Sequence, residues 1–133
     1  MAQVELIWVE RQRYVAIDSG GHSAVFSSKD DIGVKPSEAL LMALAGCSAH
    51  DVVEIIGKRK LTLDSLKVTV SAEQNEKAPW AFTHIHLRYA AAAPGLDLDQ
   101  LTRAIDLSLN KYCSVRASLS PDVQVTFEAV VTE

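Results

Sequence analysis

The chain has two cysteines, Cys47 and Cys113, and they are its strongest candidates for chemistry. A thiol reacts as its thiolate, so the groups that can stand near each sulfur decide what it can do. Cys47 lies in the run Gly46-Cys47-Ser48-Ala49-His50-Asp51. On a helix His50 at i+3 and Asp51 at i+4 share its face, where they can serve the thiol or hydrogen-bond one another. Glu38 stands nine residues before Cys47, which on a straight helix is about 180° around and about 13 Å along. It cannot touch the cysteine of its own helix. As part of a site it would reach the cysteine of a partner chain, or orient a group that does.

Each of these residues also has a plainer reading. Free cysteine is among the most buried residue types and often only packs. Glu38 suits the positive end of a helix whatever else it does. His50 and Asp51 can form a satisfied polar notch, and His22 beside Gly20-Gly21 can simply be solvated. His84 and His86 share one strand face and could supply half a metal site. No third ligand stands at a compatible spacing, so an exposed strand face is the reading adopted and no metal is expected.

The elements that must position these groups are marked in the sequence. Pro36 to Lys60 begins with a residue suited to a first turn and ends in a basic GKRK run, and it carries no charge from Ala39 to Ala49. It reads as one helix that is apolar all round and must be covered on every side. Its uncharged run is shorter than the roughly 18 residues of a membrane span, so the helix is expected to be the spine of a core. Before it, three short β-prone runs (Val4 to Val9, Arg13 to Asp18, His22 to Ser27) with Gly20-Gly21 between the last two read as an antiparallel meander. After it, Leu66 to Ala72 and Thr83 to Tyr89 alternate with period two, and Ala90 to Gly95 reads as a breaker-rich exit. Asp97 or Asp99 caps a second helix, on which Leu101, Ile105, Leu109 and Cys113 recur every four residues as an inner stripe. Val123 to Ala129 is the final strand. The expectation is a single α+β domain over residues 1–133, ordered βββαββαβ, with two such central helices packed together in a homodimer.

Composition narrows the function classes. A formal net charge of -4 gives no global attraction to nucleic acid or to an anionic membrane, and neither is expected as a partner. Glu5 interrupts the first apolar run, so that run does not read as a signal peptide. A cytoplasmic location is expected, where a stable structural disulfide is out of place.

Three separated motifs, KPSEALLMALAGCSAHDVV, FTHIHLRY and NKYCSVRA, together resemble the osmotically inducible protein C and organic hydroperoxide resistance (OsmC/Ohr) superfamily, in particular its small OsmC-like branch. The resemblance covers about Gly20 to Val131. It implies an intertwined α+β homodimer with long central helices and two active sites at the subunit interface. It further implies a stress-response peroxidase without a cofactor. Cys47 would attack the terminal oxygen of an organic hydroperoxide, Cys113 would resolve the sulfenic acid as a disulfide, and a dithiol such as a lipoyl group would reduce it. Glu38, with His22, His50 and Asp51 as possible lining, completes the set. An apolar helix centre raises a thiol's pKa, so Cys47 needs a donor or a cation nearby. The peroxidases pair their acid with an arginine from the early strands. Here His22 stands where that arginine is expected, Ser37 stands at the acid position usual in the hydroperoxide resistance branch, and Arg11 or Arg13 would be the substitutes. The alternative is an OsmC-like protein that binds a small apolar or electrophilic ligand between subunits.

Overall fold

A computed structural model describes all residues, Met1–Glu133. The chain divides into two compact units, Met1–Leu41 and Met42–Glu133, and the seam falls inside the long helix.

In the first unit β1 (Glu5–Glu10), β2 (Arg13–Ile17) and β3 (Ser23–Ser27) form an antiparallel sheet in sequential order, the expected meander. Gly21 takes a positive φ in the β2–β3 turn, and the Asp18 carboxylate closes it by accepting from the Gly20 and His22 backbone N–H groups. Side chains alternate across a strand. Leu6 and Trp8 on one face of β1, and Ile7 and Val9 on the other, are all exposed, so apolar surface lies open on both sides. Gly33 sits where a Cβ would meet the Val25 carbonyl oxygen at 2.5 Å. That close approach lets the Val34 N–H donate to Val25 O at 3.0 Å and fixes the loop that leads into the helix.

The helix α1 (Pro36–Lys58) has Glu38 in its first turn and Lys58 in its last. Its buried residues, Leu44, Ser48, Val52 and Ile56, form a single stripe four residues apart. Leu40, Met42 and Val53 are exposed. The expectation of a helix covered on every side is therefore met along one stripe within this chain. By length and apolar composition α1 could also cross a membrane. Its covered stripe, however, packs on its own protein, and it carries Asp51, Glu54 and Lys58 in its second half.

In the second unit β4 (Ser65–Gln74) and β5 (Phe82–Ala92) pair antiparallel, and β6 (Gln124–Val131) adds to β5 in parallel. β5 runs on through Ala90–Ala92, the stretch expected to be an exit loop. Those alanines pair with Ser65–Lys67 on one side, and Ala90 and Ala91 with Val130 and Val131 on the other. Two ladders override the weak strand preference of alanine. The helix α2 (Leu98–Leu107) is capped by Asp97, whose side chain accepts from the Gln100 N–H while the Gln100 side chain accepts from the Asp97 N–H. α2 lies against β6. Leu101, Ile105 and Leu109 form the expected buried stripe. Cys113 does not belong to that helix. The chain widens into a π-turn (Ser108–Tyr112), and the Cys113 N–H closes it on Ser108 O at 2.7 Å. Cys113 itself is extended (φ -74, ψ 107) and caps the short helix α3 (Ser114–Ser118).

Candidate active site

Cys47, midway along α1, and Cys113, at the cap of α3, are free cysteines near enough that each shifts the ionisation of the other. The Cys47 thiol is held below the ordinary thiol value first by the Val115 backbone N–H, against the opposing effect of burial. The Cys113 thiol, the Ser114 hydroxyl and the Ser114 N–H help. Ser114 Oγ lies 3.7 Å from Cys47 Sγ. Burial pushes Cys113 up, and the negative charge it would meet on Cys47 pushes it further. The Arg116 N–H, donating to Cys113 Sγ at 3.4 Å, pulls the other way. Of the two, Cys47 ionises first, and Cys113 keeps its proton longer.

The donors that lower Cys47 are thus not those anticipated. His50 is exposed and makes no hydrogen bond. Asp51 turns away from the sulfur to accept from Ser108 Oγ at 2.8 Å. They meet neither Cys47 nor each other, because a closer pair of donors arrives with the turn after Cys113. Glu38 is exposed and unpaired. His22 is exposed and bound to Asp18, Nδ1 to Oδ2 at 3.2 Å. Arg13 is committed to Asp31 by two hydrogen bonds of 2.8 and 2.9 Å. Arg11, in a turn at positive φ, forms no ion pair, and its charge acts on the same Asp31 carboxylate. His84 and His86 both bond Thr126 Oγ1 at 2.7 Å, and no cluster of three metal-ligating side chains forms.

Sequence reasoning missed a buried polar chain beside the thiols. Tyr89 Oη lies 2.6 Å from Ser48 Oγ, and Ser48 Oγ lies 2.9 Å from Ser108 Oγ. Ser108 has one hydroxyl proton, and the Asp51 carboxylate is its strongest acceptor. Ser108 Oγ is the donor toward both the Asp51 carboxylate and Ser48 Oγ, and either hydroxyl of the Ser48–Tyr89 pair can donate to the other. Burial pushes the Tyr89 phenol up to about 12, so it stays protonated. This chain links α1 next to Cys47, β5, and the first residue of the π-turn that delivers Cys113. One signal was available. Ser48 sits on the α1 stripe among Leu44, Val52 and Ile56, and a hydroxyl at a core position calls for a partner.

Residues 28–128 match the model of the family described as OsmC-like protein, and the chain belongs to that family. It is 36% identical over 125 residues to Protein YhfA of Escherichia coli strain K12, covering 93% of each chain. Among solved structures, a hypothetical protein from Aquifex aeolicus VF5 superposes with a TM-score of 0.85 at 27% identity, covering 100% of this chain and 98% of that one. The organic hydroperoxide resistance protein OhrB of Bacillus subtilis superposes with a TM-score of 0.65 at 14% identity, covering 97% of each, a likeness of fold. The α+β OsmC-like fold expected from the motifs is the fold observed.

Proposed function

We propose that this protein is a thiol peroxidase for organic hydroperoxides. The observation that carries the reading is the pairing of two neighbouring free thiols, Cys47 3.7 Å from the hydroxyl of the residue after Cys113, with the one on α1 shifted down and the other up. In this reading the Cys47 thiolate attacks the terminal oxygen of ROOH. The O–O bond breaks, Cys47 becomes a sulfenic acid, and the alkoxide leaves and takes a proton as ROH. The Cys113 sulfur then attacks the Cys47 sulfur and displaces water, forming the disulfide on the reversible rung of cysteine oxidation. A dithiol, lipoyl-type or otherwise, returns both thiols. The name of the Bacillus subtilis neighbour, an organic hydroperoxide resistance protein, agrees with this chemistry.

The site is completed by a second copy. Leu6, Trp8, Val9, Met42 and Val53 are exposed apolar side chains that a homodimer would cover. The polar residues in the second half of α1 favour protein over lipid as that cover. Glu38 would act from the partner, with His22, His50 and Asp51 at the margins. Single-turnover oxidation of the reduced protein by cumene hydroperoxide, followed by free-thiol counting, tests the reading. Loss of both thiols is expected, abolished in Cys47→Ser and diverted to over-oxidised Cys47 in Cys113→Ser. Thiol loss unaffected by Cys47→Ser would overturn it.

A second reading has its own observation. Arg13 is engaged with Asp31, and the first sheet bears a largely apolar cavity of about 570 Å³ between Val4 and Phe26. An OsmC-like protein that retains a small apolar or electrophilic ligand would use such a surface. Stoichiometric ligand retention without thiol turnover would favour it.

A further inference from the structure

A second, smaller cavity of about 300 Å³ touches Cys113 and not Cys47. Leu109, Leu119 and Pro121 give it apolar walls, and Lys111 and Arg116 line it with positive charge. No carboxylate lines it. Neither cation has an acidic partner: Lys111 Nζ rests 5.3 Å over the Tyr112 ring, which leaves its charge uncompensated. The cavity thus joins one sulfur of the redox pair to two unneutralised cations.

We infer that this cavity is the docking site for the molecule that reduces the Cys47–Cys113 disulfide, that it selects a thiol carrying a negatively charged group, and that the attack falls on Cys113. The inference rests on the disulfide of the proposed cycle. In the first step the reductant thiolate RS⁻ forms a bond to Cys113 Sγ, the S–S bond to Cys47 breaks, and Cys47 departs as a thiolate. In the second step another thiolate, from the same dithiol or a second molecule, attacks the reductant's sulfur. Cys113 is released and takes a proton from solvent. Two thiols are oxidised to one disulfide, and the protein gains the two electrons.

Leaving-group chemistry points the same way. Exchange is faster when the sulfur expelled is the more acidic one. That sulfur is Cys47, which keeps its Val115 and Ser114 donors. Exposure alone would send the attack to Cys47, since Cys47 is half-buried and Cys113 fully so. The two arguments therefore predict different products.

The test starts from protein oxidised by diamide, so that it does not depend on peroxide. Limiting 3-mercaptopropionate, 2-mercaptoethanol or cysteamine is added, the freed cysteine is alkylated, and peptides are mapped by mass. The expected product carries the mixed disulfide on Cys113 and the alkyl group on Cys47. The rate per thiolate should fall by about tenfold from the anionic to the cationic reagent at low salt. That ordering should collapse in about 1 M salt and in the Lys111→Gln/Arg116→Gln variant. A mixed disulfide on Cys47, a charge-independent rate, or failure of diamide to join the two cysteines would each overturn the inference. If diamide forms the bond and cumene hydroperoxide does not, the peroxidase reading fails while the docking result stands by itself.

Discussion

Two neighbouring thiols need not share acidity equally, and the difference fixes their order of reaction. The folded-state pKa of Cys47 is lowered, so its thiolate persists as pH falls and is lost only on passing that lowered value. Cys113 is raised and ionises at higher pH. Iodoacetamide labelling across a pH series, read by peptide mass, should therefore modify Cys47 first, with Cys113 following only in more alkaline buffer. Ser114→Ala removes one weak donor and should slow Cys47 labelling about two- to threefold near neutral pH. Tyr89→Phe takes a partner from the buried Ser48 hydroxyl and should cost about 1 kcal/mol in urea unfolding. The cysteines could be read from the sequence, because residue type announces a thiol. The donors that tune Cys47 could not, because Val115 and Ser114 act largely through backbone N–H groups that almost any residue would supply.

At the scale of elements, period-two alternation and Gly20-Gly21 marked the strands and the first turn, and of the two cap candidates Asp97 starts the second helix, while β5 runs past its expected end through Ala92. The π-turn was invisible for a physical reason: it changes the hydrogen-bond register while the apolar spacing runs on, so Cys113 looked like one more inner-stripe residue. Two substitutions probe the framework. Asp97→Ala removes the side-chain half of the reciprocal cap, the acceptor of the Gln100 N–H, and leaves the backbone N–H of that position to the Gln100 side chain; it should cost about 1 kcal/mol, a loss of roughly 3–6 °C in Tm. Gly33→Ala forces a Cβ against the Val25 carbonyl and should cost about 1–3 kcal/mol, seen as faster hydrogen exchange at the Val34 amide.

For the whole molecule the telling quantity is apolar surface that one chain leaves open. Trp8 is 64% exposed and Met42 56%, which is costly for side chains of this size. Sedimentation at micromolar concentration should give a dimer, and Tm should rise with protein concentration. Met42→Glu, on the open side of α1, should shift the profile toward monomer and slow peroxide turnover with it. A monomer in the unmodified protein would remove the partner that Glu38 needs. The apolar run of α1 was readable from composition. The expectation that a second chain shares its cover came only from how little sheet one chain has.

Cys113 serves as the cap of α3 through the same sulfur that would enter the disulfide, accepting from the Arg116 N–H at 3.4 Å. A sulfur bonded to Cys47 is a poorer acceptor than a thiol or thiolate, so oxidation loosens the first turn of that helix. The Arg116 amide is then a label-free gauge of redox state: its proton resonance should move, and its exchange quicken, each time the pair is oxidised, and both should return when it is reduced.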